Sequence, residues 1–218
     1  MINAEQPFQF STASYLTRIC NQRATRLTEL QKGLGECSDA SIFYHTFHSL
    51  RRHHFLTEGF SDDFAQWIMA GCNLAELAEQ LAALDLREYS NLLDLRNDLR
   101  SRVGDYCKAF PERAQQTAFE PFYFSEAIEV TLPLGIQVQT LEEFQHVLGT
   151  LSNASFHYHF VTSRLRLHLR SNDFSLWFST GLGLDDLAQR TNRIDIYTNT
   201  LEAARQQLLY MIGQEIKA

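Results

Sequence analysis

Hydrophobic and polar positions alternate along most of this chain with the 3.6-residue period of a helix. TRLTELQKGL (25–34) is amphipathic. Ser38-Asp39 then offers an N-cap, and the spacing predicts a long helix from there to about residue 56. DDFAQWIMAG predicts a second capped helix, with Asp63 as N-cap or first-turn acid and Phe64 and Trp67 on one face. NLAELAEQLAAL is a third, ending at Asp85. SNLLDLRNDLRSRVGDYC is a fourth, with Leu92, Leu95, Leu99 and Val103 on its apolar side. The segments near Phe8–Cys20 and Phe122–Leu132 break this period. EAIEVTL alternates residue by residue, which allows a short strand pair.

The same pattern runs through the chain twice. Phe8, Phe10 and Ser11 match Phe122, Phe124 and Ser125. Leu27, Leu34 and Gly35 match Leu141, Leu148 and Gly149. Ala40, Ser41, Tyr44, His45, Ser49 and Arg52 match Ala154, Ser155, Tyr158, His159, Ser163 and Arg166. After a short gap Asp63, Phe64 and Trp67 match Asp173, Phe174 and Trp177, and Arg96 and Leu99 match Arg205 and Leu208. Conserved order and spacing indicate a tandem duplication. Its expected parts are repeat 1 at 8–107, a linker at 108–121 and repeat 2 at 122–216. The expected fold is mainly α, with four to five helices per repeat and pseudo-twofold symmetry, packed as one globular unit.

Histidines crowd Ser41–Phe55, where four of fifteen residues are His. The repeat sorts them. Only His45 has a clear counterpart, His159; His48 faces Thr162 and His53 faces Leu167. His54 aligns with His168 only beside the gap, where register is loose. On a regular helix Ser41, Tyr44, His45, Ser49 and Arg52 form one polar stripe, repeated as Ser155, Tyr158, His159, Ser163 and Arg166. Two readings stay open. The stripe is a packed structural network satisfied by helix ends or by Asp63 and Asp173. Alternatively the two stripes meet at the pseudo-twofold and form a site for an anion, a sugar or a metal, or an enzyme's site, through Tyr44, His45, Arg52, Tyr158, His159 and Arg166. A metal there would take His45, His159, Asp63 and Asp173 as ligands.

Composition narrows the function classes. The chain has 218 residues, 44% hydrophobic, with formal net charge −7. The one basic cluster, Arg51 to His54, is too short to build a phosphate-binding surface, so nucleic-acid binding is disfavoured. MINAEQPFQF is neither signal peptide nor membrane anchor, so a soluble, cytoplasmic protein is expected. Cys20, Cys37, Cys72 and Cys107 form no CxxC pair and read as reduced structural thiols. There is no GxGxxG after a strand, no GxxxxGK[ST], no HExxH and no GxSxG. No catalytic residue and no cofactor is assigned.

SIFYH, DDFAQW and LAELAEQL followed by Asp85, in that order after FQF, resemble the motifs of a bacterial family known as domain of unknown function number 5752. The resemblance spans nearly the whole chain. LDLREY and IDIY depart from the Asp-Pro-Tyr-like turn of such proteins. The resemblance implies no activity. It implies an accessory or regulatory module, with a carbohydrate-metabolism enzyme as the protein partner, and it leaves homo-oligomers open.

Overall fold

The computed structural model describes residues 3–48, 60, 62–167, 169–195 and 200–217, without the side chains of His48, Arg87 and Arg166. Ser49, Arg52, His53, His54, His168 and the predicted helical stretch to residue 56 beyond His48 lie outside the described residues. The first half runs β1 (Phe8–Ala24), α1 (Leu27–Glu36), α2 (Asp39–Phe43) and a π-helical turn (Tyr44–His48). It continues with α3 (Asp63–Ala70), α4 (Ala75–Ala82), α5 (Leu92–Ala109) and α6 (Pro111–Ala114). The second half runs β2 (Phe122–Val138), α7 (Leu141–Thr150), α8 (Asn153–His157) and a second π-helical turn (Tyr158–Thr162). Then come α9 (Ser163–Arg166), α10 (Asp173–Thr180), α11 (Asp185–Asn192) and α12 (Leu201–Lys217). The chain is mainly helical. Among the described residues no helix is long and apolar enough to cross a membrane.

Local chemistry sets the helix starts. Ser38 Oγ accepts from the Ser41 N–H at 3.1 Å, and Ser152 Oγ accepts from the Ser155 N–H at 3.2 Å. Asp62, not Asp63, caps α3: its Oδ1 takes the Ala65 N–H at 2.7 Å. Asn172 does the same for α10, closing a reciprocal capping box with Ser175. Asp63 and Asp173 are the first-turn acids next to these caps.

The strand pair is present, and each strand runs 17 residues. It is antiparallel. The Ala4 N–H bonds the Gln139 carbonyl beside the start of β1, and the Ala118 N–H bonds the Thr25 carbonyl beside its end. The chain divides into two compact units. One comprises Met1–Tyr15 with Glu129–Ala218, and the other Leu16–Ile128. Each therefore takes a strand segment from the half of the sequence opposite to its helices.

In the Leu16–Ile128 unit, Phe122 and Phe124 lie against the helices of the first half. The Phe122 ring is 5.3 Å from Phe64 and 5.8 Å from Trp67. Phe124 seats against α1 where Gly33 leaves room, and a Cβ at Gly33 would overlap its ring. Val147 holds the matching position in the second half. Gly33→Ala is expected to destabilise the protein by about 1–3 kcal/mol through overpacking, read as a lower urea midpoint at unchanged m-value. In the other unit Phe8 and Phe10 take the corresponding places. Phe8 lies 5.4 Å from Phe144 and 5.6 Å from Trp177, and Phe10 lies 5.4 Å from Phe144.

Candidate functional site

His45 sits in a π-helical turn directly after the short helix α2. A π turn holds one more residue than an α turn, and such insertions frequently occur at functional sites. The Ser38 cap fixes where α2 begins, and so where the turn carries His45. The same arrangement holds in the other unit: the Ser152 cap, the helix α8 and a π-helical turn carrying His159.

Each imidazole is buried, at 3% exposure, and both of its nitrogens are engaged. His45 Nδ1 lies 2.7 Å from Asp63 Oδ2, and its Nε2 accepts the Ser125 backbone N–H at 2.9 Å. His159 Nδ1 lies 2.8 Å from Asp173 Oδ2, and its Nε2 accepts the Ser11 N–H at 2.8 Å. These contacts fix the tautomer. A nitrogen that accepts an N–H carries no proton, so in the neutral ring the proton sits on Nδ1 and is donated to the carboxylate. Aromatic rings close around each pair. His45 has Phe122 at 4.7 Å and Phe64 at 5.2 Å; His159 has Phe8 at 5.0 Å and Phe174 at 5.5 Å.

Both main-chain groups of Ser11 are held. His159 takes its N–H, and the Ser155 hydroxyl donates to its carbonyl. The Ser163 hydroxyl donates to the His159 carbonyl and accepts the Asp173 N–H, which ties the π turn to the start of α10. In the Leu16–Ile128 unit the Tyr44 hydroxyl meets Thr17 Oγ1 at 3.1 Å, and Glu126 accepts from Ser38 Oγ at 2.7 Å and pairs with Arg18.

The expected site residues thus fall into two sets. Tyr44, His45 and Asp63 belong to one unit, and Tyr158, His159 and Asp173 to the other. Tyr158 is buried with its ring 4.8 Å from His159. Arg166 ends α9, and Arg52 lies outside the described residues. Among the described residues no group of three or more His, Cys, Asp or Glu could hold a metal ion. Two partners were missed in the sequence as members of the site. The Ser11 and Ser125 amides are backbone groups, and only the repeated Phe-x-Phe-Ser hinted at them. Arg96 and Arg205 are buried fasteners: Arg96 donates to the Leu34 carbonyl and to Asp39, both at 2.7 Å, and Arg205 donates to Asn153.

Cys37, Cys72 and Cys107 offer no activated thiolate. All four cysteines are free, and burial pushes the thiols of Cys37 and Cys107 up and that of Cys72 up to about 12. An open cavity of about 350 Å³ in the Leu16–Ile128 unit is lined by Cys72, Asn73, Arg113 and Gln116 among others, and His45 is not part of its lining.

The model of the family of unknown function DUF5752 matches residues 5–213. The chain belongs to that family. No curated protein matches the sequence. The solved structure of OrfY from Thermoproteus tenax is similar at 28% identity, covering 99% of this chain and 98% of that chain with a TM-score of 0.86. This member of the family shares its fold with OrfY over that span.

Proposed function

We propose that this protein is a non-enzymatic interaction or regulatory module that binds a partner protein. The observation that carries the reading is the saturation of His45 and His159. An imidazole that is buried, and that holds one bond to a carboxylate and one to a backbone amide, has no nitrogen left for a substrate proton or a metal. Such a pair is a fastener for a strand. On this reading the chain is a duplication of 8–107 and 122–216 joined by 108–121, and it works in the cytoplasm without a cofactor. The matched caps, π turns and His–Asp pairs support the duplication. A carbohydrate-metabolism enzyme is the partner class that the family resemblance suggests.

The surface that fits this role lies on β2. Val130, Leu132, Leu134 and Ile136 alternate along the strand at 48%, 51%, 39% and 40% exposure. Residues 130–138 carry no charge. A run of exposed apolar side chains on one strand is a common signature of a contact surface. Pro133 and Gly135, the latter at φ 71°, discourage addition of a further strand, which leaves side-chain packing as the mode of contact. The test is capture of a stoichiometric companion by the tagged full chain from its native host, repeated with Leu132→Lys and Leu134→Lys together. The double variant is expected to lose the companion while its melting temperature stays within about 2 °C, as exposed substitutions cost little. Retention of the companion by this variant, or no companion with the parent chain, contradicts the proposal.

A further inference from the structure

Each compact unit is completed by a strand from the other half of the sequence, and the contacts are those of a folded interior. In the Met1–Tyr15 and Glu129–Ala218 unit, Trp177 Nε1–H bonds the Gln6 carbonyl at 3.0 Å, and Ala4 N–H bonds the Gln139 carbonyl at 2.9 Å. His159 holds Ser11, and Phe8 and Phe10 fill the space between Phe144, Phe174 and Trp177. In the Leu16–Ile128 unit the same contacts run the other way. Trp67 Nε1–H bonds the Glu120 carbonyl at 2.7 Å, Ala118 N–H bonds the Thr25 carbonyl at 2.8 Å, and His45 holds Ser125. The chain crosses from one half to the other through Gln115, Gln116 and Thr117, whose side chains are exposed.

We infer that the two halves, 1–116 and 117–218, are mutual binding partners, and that each presents a built acceptor site for a Phe-x-Phe strand of the other. The site has three parts: a tryptophan N–H that takes the carbonyl two residues before the first phenylalanine, an aromatic bed for the two phenylalanine rings, and an imidazole Nε2 that takes the amide next in line. The covalent connection raises the effective concentration of strand and site but adds no recognition of its own. The ligand class is therefore an extended Phe-x-Phe-Ser segment, supplied here by the same chain.

The test uses the full chain with a specific protease sequence inserted between Gln116 and Thr117, an exposed position suited to nicking. The uncut variant is the reference. After complete cleavage the fragments are expected to elute together at the position of the uncut 25.1 kDa chain at micromolar concentration. They should melt in one transition whose midpoint falls by a few degrees for each tenfold dilution, as a two-chain complex does and one chain does not. Separate elution of the two fragments without denaturant overturns the inference. So does co-elution with a midpoint that ignores dilution and matches two independent melts.

Discussion

His45→Ala is expected to lower the stability of the protein by about 3–5 kcal/mol, from the loss of a buried hydrogen-bonded partner and the cavity left behind. Three costs add. Asp63 keeps a carboxylate at a mostly buried position without the Nδ1 donor at 2.7 Å. The Ser125 N–H loses its acceptor at a buried residue. The rings of Phe64 and Phe122 lose a flat neighbour. His159→Ala should fall by a similar amount, because Asp173 and the Ser11 N–H each lose the bond that His159 makes. The Ser125 amide should exchange with solvent far faster in His45→Ala, because the bond that protects it is gone. His45→Gln, which can still offer an acceptor toward Ser125, should recover part of the loss. Urea unfolding of the full chain measures each of these. A ligand-binding role for the histidines makes the opposite forecast: unchanged unfolding and a lost ligand.

Asp62→Asn is expected to stabilise the protein at pH 7 by about 1 kcal/mol, because it removes a buried charge and keeps the cap, partly offset by an amide NH2 without the acceptor that Asn192 gives Asn172. Burial pushes the Asp62 carboxyl from its ordinary 3.8 up to about 6, opposed by the hydrogen bond from Ala65. The direction follows. Below pH 3.8 the acid is protonated both folded and unfolded, and its burial costs least there. As pH rises from 3.8 to about 6 the unfolded chain ionises first, and stability is lost across that window. The parent protein should therefore lose stability between those limits relative to the variant, and the two curves should converge near pH 4. Asn172 shows that an amide serves at this position. It caps α10, takes the Ser175 N–H at 3.0 Å and donates to Asn192 at 3.2 Å. Ala65 and Ala82 stand where Ser175 and Asn192 do, so Asp62 lacks both helpers. Equal stability of the two proteins across pH 4–8 would show that the carboxyl is solvated after all.

Where an interaction is local, the sequence pointed to it. Ser38 and Ser152 were readable as caps because a cap joins residues three apart. The first-turn acids and the leucine face of α5 follow the same logic of short range and fixed period. The strand pair was half visible. EAIEVTL alternates, but the remainder of both strands carries polar residues in no clear order, so their length was not apparent. Two features left no local trace. A π turn changes the register by one residue, and the regular stripe from Ser41 to Arg52 assumed uniform α-helix, so Tyr44 and His45 were placed by the wrong period. The pairing of each strand with the opposite half was also invisible, because Phe-x-Phe-Ser says that a strand is buried but not against which helices. The match of His45 with His159, and of Asp63 with Asp173, singled out residues that lie in contact as His45–Asp63 and His159–Asp173. Their Nε2 partners were backbone amides, which every residue possesses and no composition reveals.

The protonation state of the two imidazoles is the point on which the fastener role turns. It can be read directly by ¹⁵N-detected two-bond correlation of the histidine rings in the full chain, at neutral pH. His45 and His159 should both appear as the Nδ1–H tautomer with a non-protonated Nε2 that accepts a hydrogen bond. Both should be indifferent to added zinc or to inorganic phosphate. Signals of an Nε2–H tautomer, or shifts of either ring on addition of zinc or phosphate, would mean that the nitrogens are available to a ligand, and would contradict a purely structural role.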